Sequence, residues 1–436
     1  MGRPLSSGSW GGLPFPDAAH THSADWRFSE LPLCAEGDSL LARGWGRSYG
    51  DVGINSGGSH LDTTRLDRLI AFDRESGVLH CESGVTLAQI LDIVVPEGWF
   101  VPVLPGSRFV TVGGAIANDV HGKNHRHAGS FGCHVRSVRL RRSNGETYRC
   151  SVDDNPELFA ATIGGLGLTG LLLDAEIQLL PVSSAELECE DICFNSVAEF
   201  AELYEASSDW MYNVSWIDCF SRGGSVGRGI FSRARHAAEG VLDPGRSAPR
   251  IAVPLSPPLS LVNRFSVDVF NRAYHLAGRR RRGVRRQHFQ SFFFPLDAID
   301  HWNRIYGSNG FYQYQCVVPF EGGIEAVEEL LTLISNSGQA SFLAVLKAFG
   351  EPASPGLLSF PRPGYTLALD FPNRGAKTQE LLASFDPVVR AASGAVYPAK
   401  DARMPADVFA DGYPELDRFR AQLDPAFSSA FWRRVQ

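Results

Sequence analysis

The chain has 436 residues, 44% apolar and 20% charged, with a formal net charge of −7. That length suits two domains with ample cores. The acidic balance argues against a general nucleic-acid binder, whose affinity rests on neutralising phosphates.

Only four of the 41 basic residues are lysine (Lys123, Lys347, Lys377 and Lys400), so each lysine carries more information than usual. The eight cysteines, Cys34 among them, show no CxxC and no metal-ligand spacing. They read as free, mostly buried thiols in a reducing compartment, and no metal is expected. The first twenty residues lack the basic and apolar regions of a signal peptide. No apolar run reaches the ~20 residues of a membrane span. A cytoplasmic location is the expectation, with peripheral contact to a membrane left open.

Residues up to about Glu36 are rich in Gly, Ser and Pro and should lie irregularly over the surface. A short apolar strand then leads into ARGWGRSYGD, residues 42–51, where Gly44, Gly46 and Gly50 alternate with Arg43 and Arg47. Glycines let a backbone approach a ligand closely, and exposed N–H groups hold phosphate. The pattern does not fit G-x-G-x-x-G opening a helix, so a Rossmann reading is weak. Strands are expected at LDTT, LIAFD and VLHCES. A helix is expected from Thr86 to Pro96, with Leu87, Ile90, Leu91 and Val94 on one face.

The next stretch, PGSRFVTVGGAIANDVHGKNH (105–125), is a second glycine cluster ending on His121 and Lys123. It reads either as a pyrophosphate loop or as a structural turn. A hairpin around Asn144-Gly145 follows, with Arg139, Arg141 and Arg142 on a solvated face. A third cluster, GGLGLTG (164–170), precedes a long apolar strand. Three such clusters separated by strands suggest one elongated ligand bearing phosphates.

After Pro181 the strands carry one apolar face and one face with isolated polar groups. Trp216 pairs with Asp218, Gln313 with Gln315, Lys347 with Phe349, and Thr366 with Ala368 and Asp370. Amides, a tryptophan and a single lysine suit a ligand-lining wall better than a solvated sheet face. A helix from Gly323 to Asn336, ending near Gly338, would cover the other side. Residues 235–290 are the least regular. Their arginine run, Arg279 to Arg286, reads first as a mobile loop. Beside the apolar segment Leu259–Phe270 it could instead meet anionic lipid headgroups.

Taken together, ARGWGRSYGD, PGSRFVTVGGAIANDVHGKNH and GGLGLTGLLL resemble the vanillyl-alcohol-oxidase type of FAD-binding flavoenzymes (the PCMH-type superfamily). HGKNHRHAGSFGCHVRS, FFFPLDAIDHWNRIYGSNGFYQYQ, FLAVLKAFG and VYPAKDAR are similar, in order, to segments of the decaprenylphosphoryl-β-D-ribose 2-oxidase family. The resemblance implies an α+β, two-lobed fold. A PCMH-type FAD-binding domain would span 1–184. A substrate domain with an antiparallel sheet flanked by helices would span 185–394, and 395–436 would return to the FAD lobe.

The resemblance also implies bound FAD, held by Arg43, Gly44, Gly46, Arg47, Ser48, Tyr49, Gly50, Asp51, Gly106, Thr111, Val112, Gly113, Gly114, Asn118, His121, Gly122, Leu172 and Tyr397. Relatives that attach flavin covalently carry histidine where this chain has Arg47, so non-covalent FAD is expected. With the resemblance, 105–125 becomes the expected pyrophosphate-binding segment, leading to the flavin ring at His121, and Lys400 and His121 would be the catalytic pair. Lys400 would serve as a base or as a cation stabilising developing charge. Trp216, Phe293, Gln313, Gln315, Lys347, Phe349, Thr366 and Ala368 would face the substrate, with Lys123 also in the pocket.

The implied reaction oxidises the 2′-hydroxyl of a phosphorylated or polyprenyl-phosphate-linked pentose to a ketone. A partner NAD(P)H-dependent short-chain reductase would then return the other epimer, in the manner of cell-wall arabinan biosynthesis. Well-known members carry asparagine, cysteine and tyrosine where this chain has Thr366, Ala368 and Phe293. The sugar is therefore left open. Alternatives are an alditol or aldonolactone oxidase, an oxidase of a nucleotide-linked or antibiotic-precursor sugar, or a non-catalytic flavoprotein. Ala368 also removes the thiol that covalent nitroaromatic inhibitors of the family use.

Overall fold

The computed structural model describes residues 8–32, 37–245, 251–258, 260–280, 283–339, 341 and 343–436. Cys34, Leu259, Arg281 and Arg282 lie outside them. The fold is α+β, as expected, and two antiparallel sheets dominate it.

The first sheet has five strands, in the order Leu69–Asp73, Val78–Glu82, Leu171–Gln178, Val135–Arg141 and Thr147–Cys150. The helix Leu87–Val94 packs against it through Leu87, Ile90, Leu91 and Val94. Thr86 caps that helix. It accepts from the Gln89 amide at 3.2 Å while Gln89 accepts from the Thr86 N–H at 2.9 Å. This reciprocal box fixes the start that the sequence pattern located. A small parallel sheet, His20–Ser23, Ser59–Asp62 and Leu40–Arg43, lies ahead of it in the chain. The N-terminal segment, expected to be irregular, thus contributes one strand.

Two arginines of the hairpin are not on a solvated face. Arg139 grips Asp174 with two nitrogens, and Arg142 donates to the Leu423 carbonyl at 2.6 Å and to Asp424 at 3.4 Å. A buried carboxylate needs such a partner, which overrides the tendency of arginine to stay solvated.

The second sheet has eight strands, all antiparallel to their neighbours. Their order is Arg285–His288, Glu186–Phe194, Gly229–His236, Tyr212–Ile217, Ala344–Phe349, Gly364–Pro372, Phe311–Val318 and Ala395–Val396. Helices Val197–Glu205, Gly323–Ser337 and Ala376–Ala391 cover one face and bury a large apolar cluster. Gly338 ends the second helix at φ 69°, a left-handed cap that favours glycine.

The register aligns Trp216 with Val345, Val345 with Ala368, and Ala368 with Gln315. One cross-strand row therefore presents all four residues on the face opposite the helices, where side chains of period two must go.

Of the arginine run expected as a mobile loop, the described residues Arg279, Arg280, Arg285 and Arg286 lie in regular elements, while Arg281 and Arg282 lie outside the described residues. Arg264–Arg280 is a 17-residue helix, and Arg285–His288 is the edge strand of the large sheet. Val267, Asn271 and Gly278 recur at i, i+4 and i+11 and are buried. That one stripe anchors the helix and was hidden by its arginines.

The C-terminal segment touches both lobes. The Leu40 N–H donates to the Ala426 carbonyl and the Leu40 carbonyl accepts from the Ser428 N–H, while Phe409, Phe431 and Trp432 join the core beneath the large sheet. The boundary expected at 394/395 falls at the edge strand of that sheet.

Candidate active site

One cavity of about 660 Å³ runs between the lobes, a size proper to cofactor and substrate sites (~300–1,000 Å³). Of the expected cofactor contacts, Arg43, Gly44, Gly46, Arg47, Ser48, Tyr49, Gly50, Gly106, Thr111, Gly113, Gly114, Asn118, His121, Gly122, Leu172 and Tyr397 line it. Trp216, Phe293, Gln313, Gln315, Lys347, Ala368, Lys400 and Lys123 line it as well.

Four expected residues do not. Asp51 is buried beside it and receives two bonds from Arg434, at 2.8 and 3.0 Å. Val112 packs into the core of the first sheet. Phe349 stands behind the site with its ring against His121 and His125. Thr366 accepts from the Gln315 amide at 3.2 Å, so it supports the wall without lining it.

The loop 43–50 is held open by its neighbours. Arg43 clamps the Gly53 and Gly8 carbonyls at 2.5 and 2.6 Å. The Tyr49 N–H donates to Ala399 at 3.1 Å. A Cβ on Gly50 would sit 1.5 Å from the Asp401 carbonyl oxygen, and one on Gly44 would sit 2.5 Å from Thr111 Oγ1. Between these anchors the N–H groups of Gly44, Trp45 and Gly46 have no acceptor among the described residues.

The stretch 105–125 behaves differently from a bare loop. Thr111 caps a short helix, Val112–Ala117. The N–H groups of Val112, Gly113, Gly114 and Ala115 donate to Val85, Ser83, Thr111 Oγ1 and Thr111, respectively. Those amides are already used within the protein. Glycine there serves close packing, with Gly113 against Ser83. Free donors for an anion sit instead at 44–46.

Several buried polar atoms of the cavity wall also lack protein partners: Asn118 Oδ1, His121 Nδ1, Ser83 Oγ and Trp216 Nε1. Buried polar groups are nearly always bonded, so orphans clustered on one cavity mark a ligand's place. A flavin dinucleotide, with its central pyrophosphate and the polar edge of its flavin ring, fits this set of donors and acceptors.

Near His121 the site becomes cationic. Gln315 Nε2 donates to His121 Nε2 at 2.9 Å, which leaves the imidazole proton on Nδ1. Burial and then the Lys347 charge hold His121 well below its usual pKa, so the ring is neutral. Lys123 donates to the Phe292 carbonyl and lies 4.4 Å from the Phe292 ring centroid. Lys347 reaches the Gly122 carbonyl at 3.4 Å. Burial lowers Lys123 to about 7, with the Lys347 charge adding to it, and burial lowers Lys347 to about 8. Neither lysine forms an ion pair among the described residues.

Lys400 lies in a turn, Pro398–Lys400, with its ammonium 3.6 Å from the centroid of the Tyr49 ring. Burial pushes its pKa down, against the pull of Asp370. Asp370 is fully buried, and burial raises it. It receives the Gln313 amide and, at 3.3 Å, the Tyr306 hydroxyl.

Asp370 was not among the expected site residues. Its signal was present, since it shares the two-residue spacing of Thr366 and Ala368. Phe270, Tyr274, Arg285 and Gln287 also line the cavity, and nothing in the irregular-looking 235–290 composition marked them. None of the seven described cysteines lines it.

Residues 32–151 match the family model of the FAD binding domain. With the donor loop and the cavity between two lobes, this makes the chain an FAD-dependent oxidoreductase. It is 39% identical over 417 residues to the decaprenylphosphoryl-β-D-ribose oxidase of Mycolicibacterium smegmatis, covering 92% of this chain and 90% of that protein. The chain belongs to the decaprenylphosphoryl-β-D-ribose oxidase family. It is also 34% identical over 374 residues to an uncharacterized protein in the mprA 5′ region of Streptomyces coelicolor, covering 80% of this chain and 100% of the other. A putative D-arabinono-1,4-lactone oxidase of Neurospora crassa is 28% identical over 201 residues, 41% of this chain and 36% of that one.

Proposed function

We propose that the protein oxidises the 2′-hydroxyl of a pentose carried on a phosphate, with a polyprenyl phosphate as carrier, to a ketone. The observation that carries this reading is the pair Lys123 and Lys347. Two buried cations without a carboxylate partner among the described residues call for an anion in the substrate. A free polyol offers none. The lining has one carboxylate among its described residues, Asp191, against Arg43, Arg47, Lys123, Arg285, Lys347 and Lys400.

In this reading the loop 43–50 cradles the cofactor's pyrophosphate, and Asn118, His121 and Tyr397 lie along its flavin end. The FAD is held without a covalent link, because Arg47 has no nucleophilic nitrogen of the imidazole kind. Acid precipitation should leave the yellow colour in the supernatant.

When bound, the flavin supplies the hydride acceptor. Lys400, held near neutrality by burial, takes the hydroxyl proton at Nζ. Asp370 sets how readily Lys400 gives that proton up. His121 donates from Nδ1, kept in orientation by Gln315. Lys123 and Lys347 bind the phosphate, and Trp216 and Ala368 shape the sugar's space. The ketone is then the substrate of an NAD(P)H-dependent reductase that delivers hydride to the opposite face. A lipid carrier also implies contact with a membrane surface, although among the described residues no helix is long and apolar enough to cross one.

The test is anaerobic flavin bleaching. A polyprenyl-phosphoryl pentose should bleach the flavin, while free pentose, alditols and aldonolactones should not. Lys400→Ala should retain FAD and lose bleaching by roughly 10²–10⁴-fold, the usual worth of a positioned acid–base group. Bleaching by free polyols alone would reject the phosphate reading. Bleaching by a nucleotide-linked or other phosphorylated sugar alone would change the carrier. No bleaching with any sugar would favour a non-catalytic flavoprotein.

A further inference from the structure

The helix Arg264–Arg280 has two apolar faces, and only one is used by the fold. Val267, Asn271 and Gly278 face inward. On the opposite side Phe265 is 78% exposed, Val269 51% and Leu276 53%. These three recur at i, i+4 and i+11, so they share one outward stripe. Leu261, just ahead of the helix, is 60% exposed. A soluble surface rarely gathers this many large apolar groups without a partner.

The helix bears four arginines, Arg264, Arg272, Arg279 and Arg280, against one carboxylate, Asp268. By helical rotation Arg264, Asp268, Arg272 and Arg279 form a row between the buried stripe and the outward apolar stripe, with Arg272 paired to Asp268 at 3.1 Å, so the row is net basic. Long basic side chains beside an apolar stripe are arranged to reach phosphate headgroups while the stripe enters the acyl boundary. The flank of the helix on the far side from the arginine row carries Phe270 and Tyr274 and reaches the active-site cavity. Phe270 and Tyr274 stack at 5.5 Å, and Tyr274 meets Trp216 edge-on at 5.0 Å. All three line the cavity.

We propose that this helix docks the enzyme on an anionic lipid bilayer, with the cavity mouth at the headgroup level. A phosphate-linked sugar could then pass from the bilayer along Phe270, Tyr274 and Trp216 while its lipid chain stays in the apolar phase. Charge and continuity with the cavity select a lipid surface over a protein partner: the arginine row suits a plane of phosphates, and a protein seated on this face would stop the mouth. The inference deepens the lipid-linked reading by naming the surface from which the substrate enters.

Co-sedimentation of the flavin-loaded protein with vesicles tests it without any sugar, so the outcome is independent of the bleaching assay. Vesicles of phosphatidylcholine mixed with phosphatidylglycerol should bind roughly tenfold or more tightly than phosphatidylcholine alone, and salt should weaken that binding. Phe265→Asp and Leu276→Asp should abolish it while flavin content and turnover of a short-chain, water-soluble phosphosugar stay unchanged. Arg272→Glu with Arg279→Glu should remove the preference for anionic vesicles. Failure of the unmodified protein to bind anionic vesicles would overturn the proposal even if no variant folds. So would binding that survives both aspartate substitutions. A concentration-dependent dimer lost in those variants, without vesicle binding, would assign the face to a second copy instead.

Discussion

Burial in the cavity wall works against the charge of Lys123 and Lys347, and neither has a carboxylate among the described residues to offset it. Lysine in water titrates near 10.4, but Lys123 is lowered to about 7 by burial and by the Lys347 charge. Between about pH 7 and pH 10.4 the unfolded chain therefore holds a proton that the folded chain has released. Folding stability rises with pH across that window, by up to about 1.4 kcal/mol per pH unit for one lysine, and falls as the pH drops toward 7. Replacing Lys123 with methionine should flatten this slope. The variant should be more stable than the parent at pH 7, by about 1–3 kcal/mol in urea melts, with the difference shrinking toward pH 10. The same substitution should weaken phosphosugar binding, which separates a stability cost from a functional need. A parent protein whose stability does not change from pH 7 to 10 would contradict the unpaired-lysine picture. The sequence pointed to these residues through the scarcity of lysine. It could not show that both lack an acid, because partners come from distant strands.

At the scale of elements, the loop 43–50 is legible as glycine-rich, yet its rigidity comes from elsewhere in the chain. Gly50 sits under the Asp401 carbonyl, and Tyr49 is tied to Ala399. The turn that carries Lys400 is therefore laid directly on the loop that offers free amides. Gly50→Ala should push the two apart, because its Cβ would fall 1.5 Å from the Asp401 oxygen and backbone cannot yield cheaply there. The expected result is loss of FAD on gel filtration and a turnover defect larger than the loss of bound flavin explains. Retention of full flavin and full activity would show that the turn moves independently of the loop.

The helix Leu87–Val94 and the helix Gly323–Ser337 were readable from apolar spacing, because each buries one face and exposes the other. The helix Arg264–Arg280 defeated that reasoning. Its outward face is apolar too, and its arginines made the segment look solvated. The glycines at 113 and 114 misled in the opposite direction. They resemble a phosphate loop by composition, but their amides are spent on Ser83 and Thr111.

The whole molecule depends on contacts that no local pattern reveals. Asp119 lies two residues before His121 at φ 38°, an uncommon conformation for aspartate. It accepts the Gly132 N–H at 2.7 Å and the hydroxyls of Ser354 and Ser359. The segment leading to His121 is thereby fixed to the connection between two strands of the large sheet. A second tie is the triad Asp51, Arg434 and Asp401. Arg434 reaches Asp51 at 2.8 and 3.0 Å and Asp401 at 2.9 Å. Asp401 directly follows Lys400 and also accepts the Arg403 and Met404 N–H groups, at 3.0 and 2.8 Å. The C-terminal helix Ala430–Val435 thus holds the turn that bears Lys400.

Arg434→Met keeps much of the apolar volume and removes the charge. Two buried carboxylates would then face each other unpaired, which costs about 3–5 kcal/mol when one partner of a buried pair is deleted. Burial already raises the Asp51 pKa, with Arg434 opposing that rise. Without Arg434 it would climb further, so the variant's deficit should be greatest at neutral pH and shrink as the pH falls and Asp51 takes up a proton. The effect on catalysis should follow the same course, because a loosened turn misplaces the Lys400 amine. Lower kcat with a small change in KM, partly recovered by Arg434→Lys, would locate the fault in that turn. A defect in stability alone, with kcat intact in the folded fraction, would mean that Lys400 is positioned by Tyr49 and Asp370 without help from the C-terminus.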